Sequence, residues 1–332
     1  MSKRSFLAGC IVLGVAMVLA VAIGPILTPP GEVAAALGRA LTGASAPASD
    51  ALITHIRLPR VLMAALVGGA LAVAGAAMQA VFRNPLAEPG ITGVGTGAAT
   101  VAVIVIVSGA FLAHPILLPL GAFLGALAAT ALVQVAGARG PRASTATILL
   151  VGVAMNSFLG AIIAATIANA PDAENARSAI FWLNGDLAGR TMSDVALVAG
   201  PVVIGALGVG LYARELNMFS LGASTAQSSG VAVRRVSHTV LAFAALATAG
   251  AVATTGVISF VGLVVPHLIR LVRGENYRML IPASFIVGAI FLIVADTAAR
   301  MVFTPVVLQT GVVTALVGAP MLLFLVLRQD RR

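Results

Sequence analysis

The sequence predicts an all-α integral membrane protein of about ten transmembrane helices. Three observations carry this. Of 332 residues, 60% are hydrophobic and only 9% charged, where a soluble domain has roughly 25% charged residues, and mean hydropathy is +1.07. The charges that exist bound uncharged stretches long enough to span a bilayer at ~20 residues each. The arginines between those stretches also segregate by side in a way that suits an even number of crossings.

The uncharged stretches run Ser5–Gly31, Val61–Phe82, Pro89–Gly137, Ala143–Pro171, Val195–Ala213, Val236–Ile269, Met279–Ala295 and Met301–Leu327. Pro89–Gly137 exceeds one helix, and His114-Pro115 divides it. Val236–Ile269 is also too long, and Thr254-Thr255-Gly256 is its break, which leaves the eighth span short. Lys3-Arg4 ahead of an apolar run resembles a signal peptide. The run is too long for a signal's apolar core and has no convincing cleavage site before Pro25, so it reads as a retained first span.

With the amino terminus inside, the inner basic residues are Lys3, Arg4, Arg83, Arg139, Arg142, Arg214, Arg234, Arg235, Arg270, Arg273, Arg278, Arg328, Arg331 and Arg332. The outer ones are Arg39, Arg57, Arg60, Arg177, Arg190 and Arg300. Basic residues accumulate in cytoplasmic loops, so both termini are expected in the cytoplasm.

Composition excludes several functions. Net charge is +9, but the basic residues are spread out, which fits the loop bias and gives no nucleic-acid footprint. The single cysteine, Cys10, excludes an internal disulfide and a multi-cysteine metal site, and reads as a small buried hydrophobe. Lys3 is the only lysine, so no Walker-type phosphate loop exists and any ATP-driven role needs a second polypeptide. No metal or cofactor is expected.

Glycine and alanine dominate the spans, as in Gly93-Val-Gly-Thr-Gly97 and Gly121-Ala-Phe-Leu-Gly125, which predicts closely packed helices. Leu71–Phe82 and Ala249–Phe260 are faintly alike, either as a repeat or as a chance of alanine-rich composition. Arg83-Asn-Pro-Leu-Ala-Glu-Pro-Gly90 is an inner loop that two prolines stiffen, either a turn or a moving constriction. Arg57-Leu-Pro-Arg60 stands just outside the second span, where its arginines either snorkel or meet an acidic partner. Asp296 and Arg300, four apart, read as a structural ion pair. The segment from Arg214 to Val233 reads as two short helices joined by a turn, a surface for a partner or an interface. Pro266 must kink or end the eighth span, and the lone His267 reads as a hydrogen-bonded residue rather than a ligand.

These strings together resemble the FecCD family, the permeases of type II ABC importers for iron-siderophores, haem and cobalamin. The segments are Arg57-Leu-Pro-Arg60, Gln79 with Asn84-Pro-Leu-Ala-Glu-Pro89, Gly262-Leu-Val-Val-Pro-His267 with Arg270, Ala295-Asp296 with Arg300, and Gly311-Val-Val-Thr-Ala-Leu-Val-Gly-Ala-Pro320. Each is weak alone, and their order along the chain makes them specific.

The resemblance implies a cobalamin-permease-like bundle over 1–332, one transmembrane permease domain with 214–233 as the cytoplasmic coupling loop. It implies a homodimer in the bacterial inner membrane, two copies of a cytoplasmic ABC ATPase below and a periplasmic solute-binding protein above. The positions matching the docking arginines are Arg57, Arg60 and Arg300. Those matching the cytoplasmic gate are Asn84, Leu86, Ser144 and Thr145. Those matching the ATPase-coupling segment are Leu216, Asn217, Leu221, Gly222, Gly230 and Val231. Two positions depart from the family: Ala223 follows Gly222 where an acid is common, and Thr310 stands where proline precedes the last span's glycine.

The expected activity is alternating access powered by the partner ATPase, with an iron-siderophore or haem favoured over cobalamin as cargo on base rate alone. The uncharged fifth and tenth spans suit a smooth path. The competing reading is an ion-coupled secondary transporter, which needs midplane carboxylates that are scarce here. An intramembrane enzyme lacks a His-Glu-x-x-His motif and a usable lysine.

Overall fold

The computed structural model describes residues 3–43, 47, 49–138, 145–302 and 306–329. Its helices in chain order are α1 (Lys3–Ala22), α2 (Pro30–Thr42), α3 (Leu58–Phe82), α4 (Val94–Val107), α5 (Ala110–Ala113), α6 (Leu117–Ala138), α7 (Thr145–Ala168), α8 (Ala173–Leu183), α9 (Met192–Leu211), α10 (Ala213–Ser220), α11 (Ala223–Ser228), α12 (Val233–Thr255), α13 (Val261–Arg273), α14 (Tyr277–Met301) and α15 (Thr310–Gln329). Seven of them, α1, α3, α6, α7, α9, α12 and α14, are long and apolar enough to cross a bilayer. The shorter α4 and α13, with the 20-residue α15, fill the remaining expected spans, so about ten crossings stand. The end where α1 starts and α3 stops is called the inner end, after the orientation expected from the arginines.

Helix α3 is the hub. Nearly all of it is buried, with α14, α12, α13 and α9 packed around it. Lipid is as apolar as leucine, so close van der Waals contact has to hold these helices together. Gly75 of α3 lies against the backbone of Gly262 in α13, and Gly68 against Gly288 in α14. A Cβ on either α3 glycine would overlap its neighbour's carbonyl group.

Two spans are incomplete helices, α4 with 14 residues and α13. At 13 residues, α13 rises about 20 Å, short of a hydrocarbon core of about 30 Å. Non-helical residues 256–260 complete the crossing, each buried or half-buried in protein, which is where such backbone is tolerated. Gly256 starts this stretch at φ +73°, its α-carbon facing the Trp182 carbonyl, a place closed to any side chain. Phe260 ends it at φ 69°, a conformation non-glycine residues rarely hold. The breaks at Thr254-Thr255-Gly256 and His114-Pro115 fall where the sequence places them.

Two outer helices were not expected. Amphipathic α2 buries Val33 and Ala36, and Arg39 on it holds Asp50 through two bonds of 2.8 and 2.9 Å. That pair keeps the Asp50 carboxyl below its ordinary range, through hydrogen bonding first. Helix α8 is opened by Asp172, which accepts from the Asn175 amide at 2.7 Å, and it buries Trp182. Each lies just beyond an apolar run, where span boundaries drawn from charge alone stop looking. Cys10 is exposed on α1, not buried, because that helix presents most of its surface outward.

Candidate functional site

At the outer end the sequence-selected arginines converge on α3 and α14. Pro59 has no N–H to offer the preceding turn, and residues Leu52–Arg57 form a π turn in which the Leu58 amide reaches the Ile53 carbonyl. This carries Arg57 inward. It donates to the carbonyls of Val21 (2.9 Å), Ala22 (3.3 Å) and Ile26 and to the Thr28 hydroxyl at 3.1 Å, capping the end of α1.

Arg60, one turn on, grips Asp296 through Nε and Nη2 at 2.9–3.1 Å, with Asp186 3.7 Å from Nη2. Arg300 Nε lies 3.3 Å from Asp296 Oδ2, which Arg60 Nε also reaches, and Arg300 donates to the carbonyls of Ala20 and Ile23. Thr310, the first residue of α15, donates to Asp296 at 2.8 Å.

Two of the three arginines, Arg57 and Arg300, are therefore not displayed for an external partner, while the Arg60 side chain stays 12% exposed. Arg57 and Arg300 are 5% and 7% exposed, and their donors are engaged within the chain. The Asp296–Arg300 ion pair exists as expected, inside a wider network. Asp186 and Thr310 belong to that network; Asp186 had no signal beyond polarity beside an apolar run, and Thr310 stood out only as a departure from the family pattern. Asp296 lies deep in a spanning helix, but two arginines neutralise it near the outer end, which does not suit a proton or sodium carrier. Burial lowers the basicity of Arg190, in the loop before α9, against the opposing pull of Asp194 and Asp186.

At the inner end, Pro266 leaves the carbonyl of Gly262 without its helical donor. Gln79 of α3 supplies one: its amide nitrogen donates to Gly262 at 3.3 Å and to Leu263 at 3.2 Å. The amide oxygen of Gln79 in turn accepts from Arg270. Gln79, Arg83, Asn84, Ser220, His267 and Arg270 help line a polar cavity of about 410 Å³. His267 departs from the expectation of a bonded residue, since its Nε2 is buried with no hydrogen-bond partner among the described residues. Among those residues no three His, Cys, Asp or Glu side chains are grouped to hold a metal.

The loop after α3 is a shaped turn. Arg83 ends the helix at φ 47°, and Asn84 accepts from the Leu86 amide at 2.9 Å. Leu86 is exposed. Glu88 is half-buried, and burial raises its carboxyl above the ordinary range, opposed by a hydrogen bond with the Phe260 backbone. Of the other gate positions, Ser144 and the side chain of Thr145 lie outside the described residues.

Segment 214–233 contains two short helices joined at Leu221-Gly222, as expected. Leu216 is fully buried, while Leu221 stands 64% exposed at the turn. Gly222 (φ 110°) and Gly230 (φ 87°) take conformations that suit glycine, and Val231 packs on the core. Asn217 accepts from the Tyr277 amide at 2.7 Å, tying the exposed turn to the start of α14. Helix α14 then carries Asp296 and Arg300 at its far end.

The order of these segments matches a known pattern, since the sequence profile of the FecCD transport family fits residues 12–328. The chain belongs to the FecCD transport family. It is 40% identical over 288 residues to the cobalamin import system permease protein BtuC of Halobacterium salinarum, covering 86% of this chain and 75% of that one. Identity is also 40% over 280 residues to the hemin transport system permease protein HmuU of Yersinia pestis, with 83% of each covered. A solved structure, an inward-facing conformation of a metal-chelate type ABC transporter, matches with TM-score 0.83 at 25% identity over 98% of this chain and 99% of that one.

This FecCD chain is thus a multi-pass membrane permease subunit of an ABC importer and not an enzyme. Permeases of this family work with a separate ATPase and a substrate-binding protein.

Proposed function

We propose that two copies of this FecCD chain form a path for a metal chelate, an iron-siderophore or haem before cobalamin. The observation that carries this is the mechanical link from Leu221 through Asn217 to α14. A push on one exposed turn at the inner end is thereby passed to a rigid helix that reaches the outer network. Two ATPase copies would press on the segment through Asn217, Leu221, Gly222, Gly230 and Val231, with the buried Leu216 fixing it to the core, both termini facing the same compartment as the ATPase.

The arginines keep a part in docking. Arg60, whose side chain is 12% exposed, is the one placed to meet a carboxylate of the binding protein, while Arg57 and Arg300 hold the surface around it in shape. Asn84 and Leu86 lie at the inner mouth and act as the gate with the start of α7. The apolar outward faces of α7 (Leu150, Val153, Phe158) and α15 (Leu316, Phe324) face the second copy and the path. They carry no charge to trap a bulky cargo.

The test is reconstitution in liposomes with the cognate ATPase and binding protein, offering ferric siderophores, haem and cobalamin in parallel. ATP-dependent accumulation of one chelate is expected. Accumulation by the chain alone, driven by a proton or sodium gradient, would overturn the reading in favour of a secondary transporter.

A further inference from the structure

Away from the path, α1, the end of α13 and the first half of α14 enclose an open groove of about 660 Å³, within the size range of small-molecule sites. Its walls are apolar, built from Ala8, Gly9 and Val12 on one side and Ala283, Ile286 and Ile290 on the other. Val272 at its edge is 79% exposed. Two cations, Arg4 and Arg273, line the same groove. Both sit at the inner end, one opening α1 and the other closing α13. Among the described residues neither has a carboxylate within ion-pair distance, though Glu275 and Arg278 stand nearby in sequence.

Length fits as well as charge. From Met279 to Ile290 the wall rises about 16 Å, close to the ~15 Å that one leaflet contributes to the hydrocarbon core. We infer that this groove binds one anionic diacyl phospholipid of the inner leaflet, its phosphate between Arg4 and Arg273 and an acyl chain along α14. A zwitterionic lipid fits the walls equally and lacks the net charge that basic interhelical sites on the cytoplasmic side select. A second copy of this chain seated on the groove would have to strip water from both arginines, which is costly unless it brings carboxylates to them.

The full chain in detergent is titrated with phosphatidylglycerol or phosphatidylcholine of identical acyl chains and examined by native mass spectrometry. One phosphatidylglycerol per chain is expected, retained about tenfold more strongly than phosphatidylcholine. Arg4→Gln with Arg273→Gln should abolish the preference and keep weak binding of both lipids. Ala8→Phe, an exposed position that would fill the groove, should remove that binding too. Equal retention of the two lipids by the unaltered chain would overturn the inference, and so would a preference indifferent to all three substitutions.

Discussion

Arg60 and Asp296, 236 positions apart, form a bidentate pair 2.9 Å at its shortest in which the carboxylate is 2% exposed. Asp296 also receives Arg300 and Thr310, so one acid joins α3, α14 and the first residue of α15. Asp296→Asn takes from the buried Arg300 and the half-buried Arg60 the carboxylate they share, leaving Arg60 with Asp186 at 3.7 Å. It should cost about 3–5 kcal/mol, read from denaturation in detergent. The double change Arg60→Leu with Asp296→Leu should cost less than the sum of the two single changes.

Gln79 replaces the donor that Pro266 lacks. Gln79→Leu strands the Gly262 carbonyl and frees Arg270, a loss of about 1–3 kcal/mol. Pro266→Ala restores an N–H to the same carbonyl and should recover part of that loss when combined with Gln79→Leu. A double-mutant cycle on thermal unfolding reads the coupling, and strict additivity would count against the replacement.

Glycines divide by what surrounds them. Gly75→Ala places a methyl group on the Gly262 backbone and should destabilise by about 1–3 kcal/mol. Gly210, with nothing within 4 Å, should accept alanine with a change near zero or a small gain. Comparing the two unfolding midpoints checks it.

Glu88 makes stability depend on pH. Burial raises its carboxyl, so the folded chain holds this proton more tightly than the unfolded chain does. Its contribution is complete below the unfolded value and is lost as pH rises through the folded value. The midpoint should therefore fall as pH climbs from the ordinary glutamate range toward neutrality, and Glu88→Gln should flatten that fall.

Leu221→Asp tests coupling apart from folding. The side chain is 64% exposed, so the unfolding midpoint should stay put. ATPase activity of the reconstituted complex should lose about tenfold of its stimulation by cargo-loaded binding protein. A shifted midpoint would mean that Leu221 supports the fold instead.

The sequence alone determined the membrane class, the order of the crossings and the two short helices of 214–233. Those rest on local properties: runs of uncharged residues, and breaks where glycine or proline cannot continue a helix. It also singled out Arg57, Arg60, Arg300, Gln79 and Pro266 without saying what they touch. Only the tertiary structure decided that Arg57 caps α1 instead of facing outward, that Gln79 serves a carbonyl 183 positions away, and that α4 and α13 are partial helices. A charge or an amide in a lipid-embedded bundle takes the nearest partner the packing offers. Which helix brings that partner is set by glycine contacts such as Gly75 on Gly262, between residues far apart along the chain.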